Sequence, residues 1–343
     1  MKRIWYNIVK VYISTGLFFF HKKIITNGLN NIPRKGAVLF VSNHKNALID
    51  PLLIATSATR NIHFLTRASA FKIKFVKWLL STVNMIPIYR MRDGKETLTK
   101  NEEIFNKCYD ILSKKKSLLI FPEGTHDIKR WVRPLSKGFT RIAFGALTQS
   151  PELELHIVPI GLNYTKATLF GESVSVYYGK PILVNTYYNM KDINTSTLEL
   201  KNVVHDKMKE LTTHIEVENY DETITKLGNA DFLNPIKINE SLKDLSTLDS
   251  DTAVTKKPEI LWKILKIVIT VNSFLPILIY KFIEPNIKEI EFISTTKFVI
   301  GITAFPLFYF LQSLVIANFF GIQYASIYAL TSILMVLLLA KTK

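Results

Sequence analysis

Between Lys297 and Lys341 the chain runs for 43 positions without a charged residue. A helix crosses the hydrocarbon core of a bilayer with ~20 residues, so this length suits two spans joined by a short turn. The spans fall at 298–318 and 324–341, with Gly321 in the turn. Lys297 precedes the first span, and Lys341 and Lys343 follow the second. Both charged flanks then lie on one side of the membrane, and the positive-inside rule makes that side cytoplasmic. Upstream, positions 267–280 are also uncharged, but they are interrupted by Pro276 and bounded by Lys266 and Lys281. Fourteen residues are short for a span, so 260–283 reads as an interfacial or re-entrant segment.

The other end of the chain is also lipid-seeking. Residues 1–23 combine Lys2, Arg3 and Lys10 with an apolar stretch ending in Phe18, Phe19 and Phe20. No small-residue cleavage site follows, so a signal peptide is disfavoured. The stretch is predicted to be an amphipathic anchor helix, with a core helix as the other option. The net charge of +16 asks for an anionic partner, and 48% hydrophobic residues favour a membrane surface over nucleic acid. No basic run interleaved with aromatics and no zinc-finger spacing supports nucleic-acid binding. The single cysteine, Cys108, rules out an intrachain disulfide and a cysteine metal site, and no metal is expected.

Between these ends, strand-like and helix-like runs alternate. Strands are predicted at 37–41, 62–66, 85–89, 117–121, 156–162 and 174–178. Helices are predicted at 47–59, 71–80, 96–113 and 136–148, with an amphipathic helix over 197–218. Such alternation defines an α/β fold: a mixed, largely parallel sheet flanked by helices, the later strands turning antiparallel. The folded domain is taken as 24–218. The polar stretch 219–258 is expected to be a linker ahead of the membrane region 259–343.

Four strand ends carry chemistry. Strand 37–41 runs into Ser42, Asn43, His44 and, at the start of the next helix, Asp50. A carboxylate that orients an imidazole prepares a base. Strand 117–121 runs into Pro122, Glu123, Gly124, Thr125 and His126, with Lys129, Arg130, Arg133 and Lys137 behind it, a set that suits a phosphate near a helix N-terminus. Strand 85–89 ends at Arg90 and Arg92, and Arg67 closes strand 62–66. Arginine makes bidentate contacts with phosphate oxygens. Each residue singly fits a turn, cap or surface charge. In a parallel sheet they share one edge, where α/β proteins build their sites.

In this order the blocks resemble the glycerolipid acyltransferases, the family of lysophosphatidate and glycerol-3-phosphate acyltransferases. Asn43 and His44 through Asp50 are similar to its first block. Ile86, Pro87, Ile88, Tyr89 and Arg90 are similar to the second, and Phe121 to Thr125 to the third. Ile157, Val158, Pro159 and Ile160 are similar to the fourth. The resemblance covers roughly 37–162 and leaves the tail from about 260 outside. It implies a catalytic His44–Asp50 pair, with Arg90, Arg67, Glu123, Gly124 and Thr125 binding substrate. Two departures stand out. Five residues separate His44 from Asp50 where four are usual, so the turn must be non-helical for the two to meet; Asn46 or a backbone carbonyl is the other possible orienter. His126 stands where many members carry arginine.

The resemblance further implies transfer of an acyl group from acyl-CoA or acyl carrier protein to a hydroxyl of 1-acyl-glycerol-3-phosphate, forming phosphatidate. The acyl thioester is a substrate, and no cofactor is expected. The same chemistry on glycerol 3-phosphate is the first alternative, and a catalytically silent basic membrane-binding scaffold is the second. The expected location is a membrane, with the site on its cytoplasmic face.

Overall fold

The computed structural model describes residues 2–89, 97–243 and 260–342. Eight strands make one sheet: β1 (Ile24–Asn27), β2 (Ala37–Ser42), β3 (Ile62–Arg67), β4 (Met85–Ile88), β5 (Ser117–Ile120), β6 (Leu155–Tyr164), β7 (Val174–Tyr178) and β8 (Ile182–Leu183). Their order is β1-β7-β6-β2-β5-β3-β4, with β8 also on β6. The pairs from β6 through β4 and the β1–β7 pair are parallel, and β6 meets β7 and β8 antiparallel. All six residues of β2 are buried, as a central strand covered on both faces requires. The mixed, largely parallel α/β expectation holds. The added strands, β1 and β8, are too short to show alternation in sequence.

Twelve α-helices accompany the sheet among the described residues: α1 (Lys2–Phe20), α2 (Ile49–Ser57), α3 (Lys74–Thr82), α4 (Thr97–Ser113), α5 (Gly138–Gln149), α6 (Ile193–Leu211), α7 (Tyr220–Leu227), α8 (Pro235–Ser241), α9 (Ile260–Asn272), α10 (Phe274–Ile283), α11 (Phe292–Phe320) and α12 (Ile322–Thr342). Helices α4, α5 and α6 cover one face, where Cys108, Leu112, Phe139, Leu200 and Met208 are buried. Burial in this apolar layer pushes the Cys108 thiol up to about 12, so the residue packs as a small hydrophobe. The other face is covered by α1, α2 and α11, through Leu17, Phe20, Leu53, Ile54 and Phe298.

Helix α1 has two apolar faces. Leu17 and Phe20 are buried on the domain, while Ile4, Ile8 and Val11, at helical spacing, are exposed. The buried face fits the core-helix option, and the exposed apolar face is the one an anchor would use. At its C-terminal end, Lys341 from the last turn of α12 donates to the carbonyls of Phe18 and His21, both at 2.8 Å. A cation on those unpaired carbonyls complements the helix dipole.

The linker expectation for 219–258 is corrected over its first part. Residues 220–241 hold α7 and α8, and Leu227, Phe232 and Ile238 bury a small core with Ile215. Apolar residues separated by polar ones formed helices too short to show a clear period. Positions 244–259 lie outside the described residues.

Helices α11 and α12 are long and apolar enough to cross a membrane, and they pack together across Gly321. Gly321 has φ of 94°, a conformation that L side chains resist. Helices α9 and α10 meet at a bend of 88°, where Ser273 interrupts the pair. The 29 residues of α11 rise ~43 Å, more than the ~30 Å hydrocarbon core. The first turns of α11 therefore have length to spare beyond a span.

Candidate active site

Strands β2, β3, β4, β5 and β6 all end on one edge because they run parallel. Just past β2, the Asn43 side chain donates to the carbonyl of Leu162 at 3.0 Å and accepts from the Leu162 N–H at 2.8 Å. Its amide thus extends the ladder to β6 by one rung while the main chain turns away. Residues 43–48 are non-helical, and α2 begins only at Ile49. The extra residue between His44 and Asp50 is absorbed in this loop.

His44 Nδ1 lies 2.8 Å from Asp50 Oδ2. The same oxygen accepts from the backbone N–H of Lys45 at 2.6 Å and of Asn46 at 2.7 Å. The other oxygen accepts from the Tyr164 hydroxyl at 2.5 Å. Asp50 is fully buried, so four donors answer a charge that water does not reach. With Nδ1–H given to the carboxylate, Nε2 is the proton-accepting nitrogen of the neutral ring. Burial and the Asp50 charge raise Tyr164 well above the usual phenol range, so it stays a donor. Asp50, not Asn46 or a carbonyl, is the partner of His44.

Residues after β5 surround this pair. The Phe121 ring stacks on His44 with centroids 4.0 Å apart and planes 14° apart. His126 approaches edge-on at 5.1 Å. Burial first, then the neighbouring His44, lowers His126 to about 4, with Arg67 acting in the same sense. His126 is therefore neutral near pH 7, and the Arg67 charge is felt at the site. Glu289 lies 3.5 Å from the His126 ring, and Phe292 packs edge-on against it at 5.3 Å. His126, Glu289 and Glu291 each bring one possible metal-ligating atom within 4.8 Å of the others. Glu289 is about half exposed and already faces the imidazole.

Gly124 takes φ of 75°, which lets the chain turn after Glu123 and leaves an open, exposed bend. The Glu123 side chain points inward. Arg133 donates to it from Nε at 3.2 Å and from a terminal nitrogen at 3.1 Å, and also donates to Thr125 through its hydroxyl and carbonyl oxygens. Burial raises Glu123, and the Lys45 and Arg133 charges oppose the rise. Lys45 is itself buried and brought down to about 8 by desolvation; its ammonium donates to the carbonyls of Lys129 and Trp131. Sequence grouped Arg130 and Arg133 with phosphate binding. Arg130 instead donates to the carbonyls of Tyr164 and Thr165 and stacks on Phe232, and Arg133 is held by Glu123 and Thr125.

The sheet edge thus brings together His44, Asp50, Arg67, Glu123, Gly124 and Thr125. Arg90 lies outside the described residues. Tyr164, Arg133 as a loop brace, and the α11 residues that meet the His44 loop were missed by sequence reasoning. Tyr164 is 114 positions from its partner, and only the parallel register of β6 on β2 signals the encounter.

Residues 23–163 match the acyltransferase family model. A chloroplastic 1-acyl-sn-glycerol-3-phosphate acyltransferase of Brassica napus is 26% identical over 156 residues, 45% of this chain and 41% of that protein. A probable 1-acyl-sn-glycerol-3-phosphate acyltransferase of Mycoplasma pneumoniae is 27% identical over 208 residues, 59% of this chain and 76% of that protein. Glycerol-3-phosphate O-acyltransferase 2 of Saccharomyces cerevisiae is 33% identical over 88 residues, 26% of this chain and 12% of that protein. The chain spans about two fifths of the plant relative's length. Its α/β unit is an acyltransferase domain. Through that domain the chain is similar to the glycerolipid acyltransferases.

Proposed function

We propose that this protein transfers an acyl group from an acyl thioester to the free hydroxyl of 1-acyl-glycerol-3-phosphate, forming phosphatidate at a membrane. The 2.8 Å pairing of His44 with a fully buried, four-donor Asp50 carries the proposal. A hydroxyl is a poor nucleophile at neutral pH. His44 Nε2 takes its proton as the oxygen attacks the thioester carbon, and Asp50 stabilises the imidazolium that forms. Collapse of the tetrahedral intermediate releases the thiolate, which recovers a proton from His44. Arg67 and Arg90 hold the phosphate and so place the hydroxyl by the base. The Glu123–Thr125 loop leaves β5 at the same edge and is the candidate source of a donor for the developing oxyanion.

A lipid acceptor is supported by two apolar cavities. One of about 410 Å³ touches Leu48, Pro51 and Leu52 beside the His44 loop. The other, about 470 Å³, lies between α1 and the α11–α12 pair against Phe19, Phe298 and Phe305. Both suit alkyl chains, which leave no hydrogen bond unmade. Acyl-CoA or acyl carrier protein supplies the thioester, and by the positive-inside rule the lysines flanking α11 and α12 favour a site on the cytoplasmic face. Glycerol 3-phosphate is the second acceptor, favoured by the identity to the yeast enzyme.

The test compares membranes carrying wild-type or His44→Ala protein, each given lysophosphatidate or glycerol 3-phosphate with each thioester. Lipid mass spectrometry should show phosphatidate from wild type and none above background from His44→Ala. Lysophosphatidate accumulating from glycerol 3-phosphate would select the second acceptor. Absence of turnover with either acceptor would leave the scaffold alternative standing.

A further inference from the structure

Helix α11 starts more than 240 residues after His44 and lies outside the matched domain, yet its first turn touches the catalytic loop. The Thr295 hydroxyl accepts from the backbone N–H of Leu48 at 3.1 Å and donates to the Asn46 side-chain oxygen at 3.2 Å. Asn46 in turn donates its side-chain N–H to the carbonyl of Ala167 at 2.9 Å, and the neighbouring Ser294 hydroxyl donates to that carbonyl at 2.6 Å. Asn46 is almost wholly buried, and its backbone N–H is one of the donors on Asp50. A single hydroxyl thus grips the loop at two points, at Leu48 and at Asn46, on either side of its last turn into α2.

We propose that Thr295 is a positioning residue for the acyl transfer assigned above. Its hydroxyl holds loop 44–50 in the one shape in which Asp50 meets His44, so α11 completes the active site as well as crossing the membrane. The inference rests on that acyltransferase reading. Leu48 precedes α2 with no polar side chain of its own to cap it, and Thr295 supplies the side-chain contact to its N–H. A hydroxyl both donates and accepts, and Thr295 uses both capacities here. The surplus length of α11 beyond the hydrocarbon core is what carries Thr295 to the loop. The acyltransferase domain without α11 lacks this brace.

Thr295→Val keeps the shape and removes the hydroxyl, whereas Thr295→Ser keeps the hydroxyl. Both are measured in membranes beside wild type and His44→Ala, with initial rates over a range of lysophosphatidate and of acyl-CoA. The valine variant should lose roughly tenfold or more in kcat, while KM for each substrate stays within about twofold. The serine variant should return kcat to within about threefold of wild type. Thr295→Ala replaces the valine variant, under the same criteria, if valine does not reach the membrane. A wild-type kcat in the hydroxyl-free variant overturns the inference, as does a serine variant no better than valine, or a loss confined to KM. A wild type silent with every acceptor overturns the acyltransferase reading, and the positioning role with it.

Discussion

The Tyr164 hydroxyl sits 2.5 Å from the Asp50 oxygen that His44 does not use. One carboxylate is therefore held from two strands at once, by the loop that leaves β2 and by the last residue of β6. Tyr164 is buried, and burial with the Asp50 charge raises its phenol well above the usual range, so it donates near neutral pH.

Tyr164→Phe keeps the ring and removes that donor. A hydrogen bond to a charged group contributes about 1.5–3 kcal/mol. The variant should be less stable by that order, and acyl transfer should fall by about tenfold because the carboxylate loses its fixed orientation. Chemical denaturation and initial rates measure the two effects. An unchanged rate would show that the loop N–H groups suffice to hold Asp50.

Arg133→Ala leaves the Glu123 side chain buried without the guanidinium that donates twice to its Oε2. Breaking a buried pair from one side costs about 3–5 kcal/mol, here toward the lower end because Lys45 also faces Glu123. The double variant Glu123→Leu with Arg133→Met should recover much of the loss, since no charge is then stranded. Thermal unfolding in detergent distinguishes the two. Equal destabilisation of single and double variants would argue against the pair's role.

His21 is buried beside Tyr164, with its Nδ1 3.1 Å from the carbonyl of Glu172. Desolvation lowers it from 6.5 to about 4. Between those values the unfolded chain binds a proton that the folded chain refuses, so stability rises with pH across that window and falls on acidification. The shift corresponds to something on the order of 3 kcal/mol. His21→Phe should flatten the slope of unfolding free energy between pH 6.5 and 4. His126, also lowered to about 4, leaves a residual slope of the same sign. A slope unaltered in the variant would place the acid sensitivity elsewhere.

Phe298 is fully buried and meets Phe20 edge-on at 5.5 Å, joining α11 to α1 above the sheet. Phe298→Ala should cost about 3–5 kcal/mol through lost burial and the cavity left behind. Calorimetry in micelles reads the cost. A loss under about 1 kcal/mol would mean that α1 and α11 collapse to refill the space.

Much of this protein is written in its local sequence. Hydrophobic runs bounded by Gly, Pro and polar residues were enough for β2 to β7, since the period of an element depends on its own residues. The uncharged run marked α11 and α12, because the bilayer sets a length any chain must meet. His44 and the Glu123–Thr125 turn were legible because each closely follows a strand, and Asp50 because it opens the next helix. Helices α7 and α8 were not, being short and stabilised by packing on Ile215 more than by their own pattern.

Sequence alone determined that an imidazole and a carboxylate would stand at one edge of a parallel sheet, between two lipid-seeking ends. Only the tertiary structure decided that they meet. The five-residue gap closes with Asn43 tying the loop to β6, Tyr164 reaching Asp50 from β6, and Thr295 meeting the loop from α11. Those contacts arise from strand register and helix packing, and no local pattern encodes a partner 114 or 249 positions away.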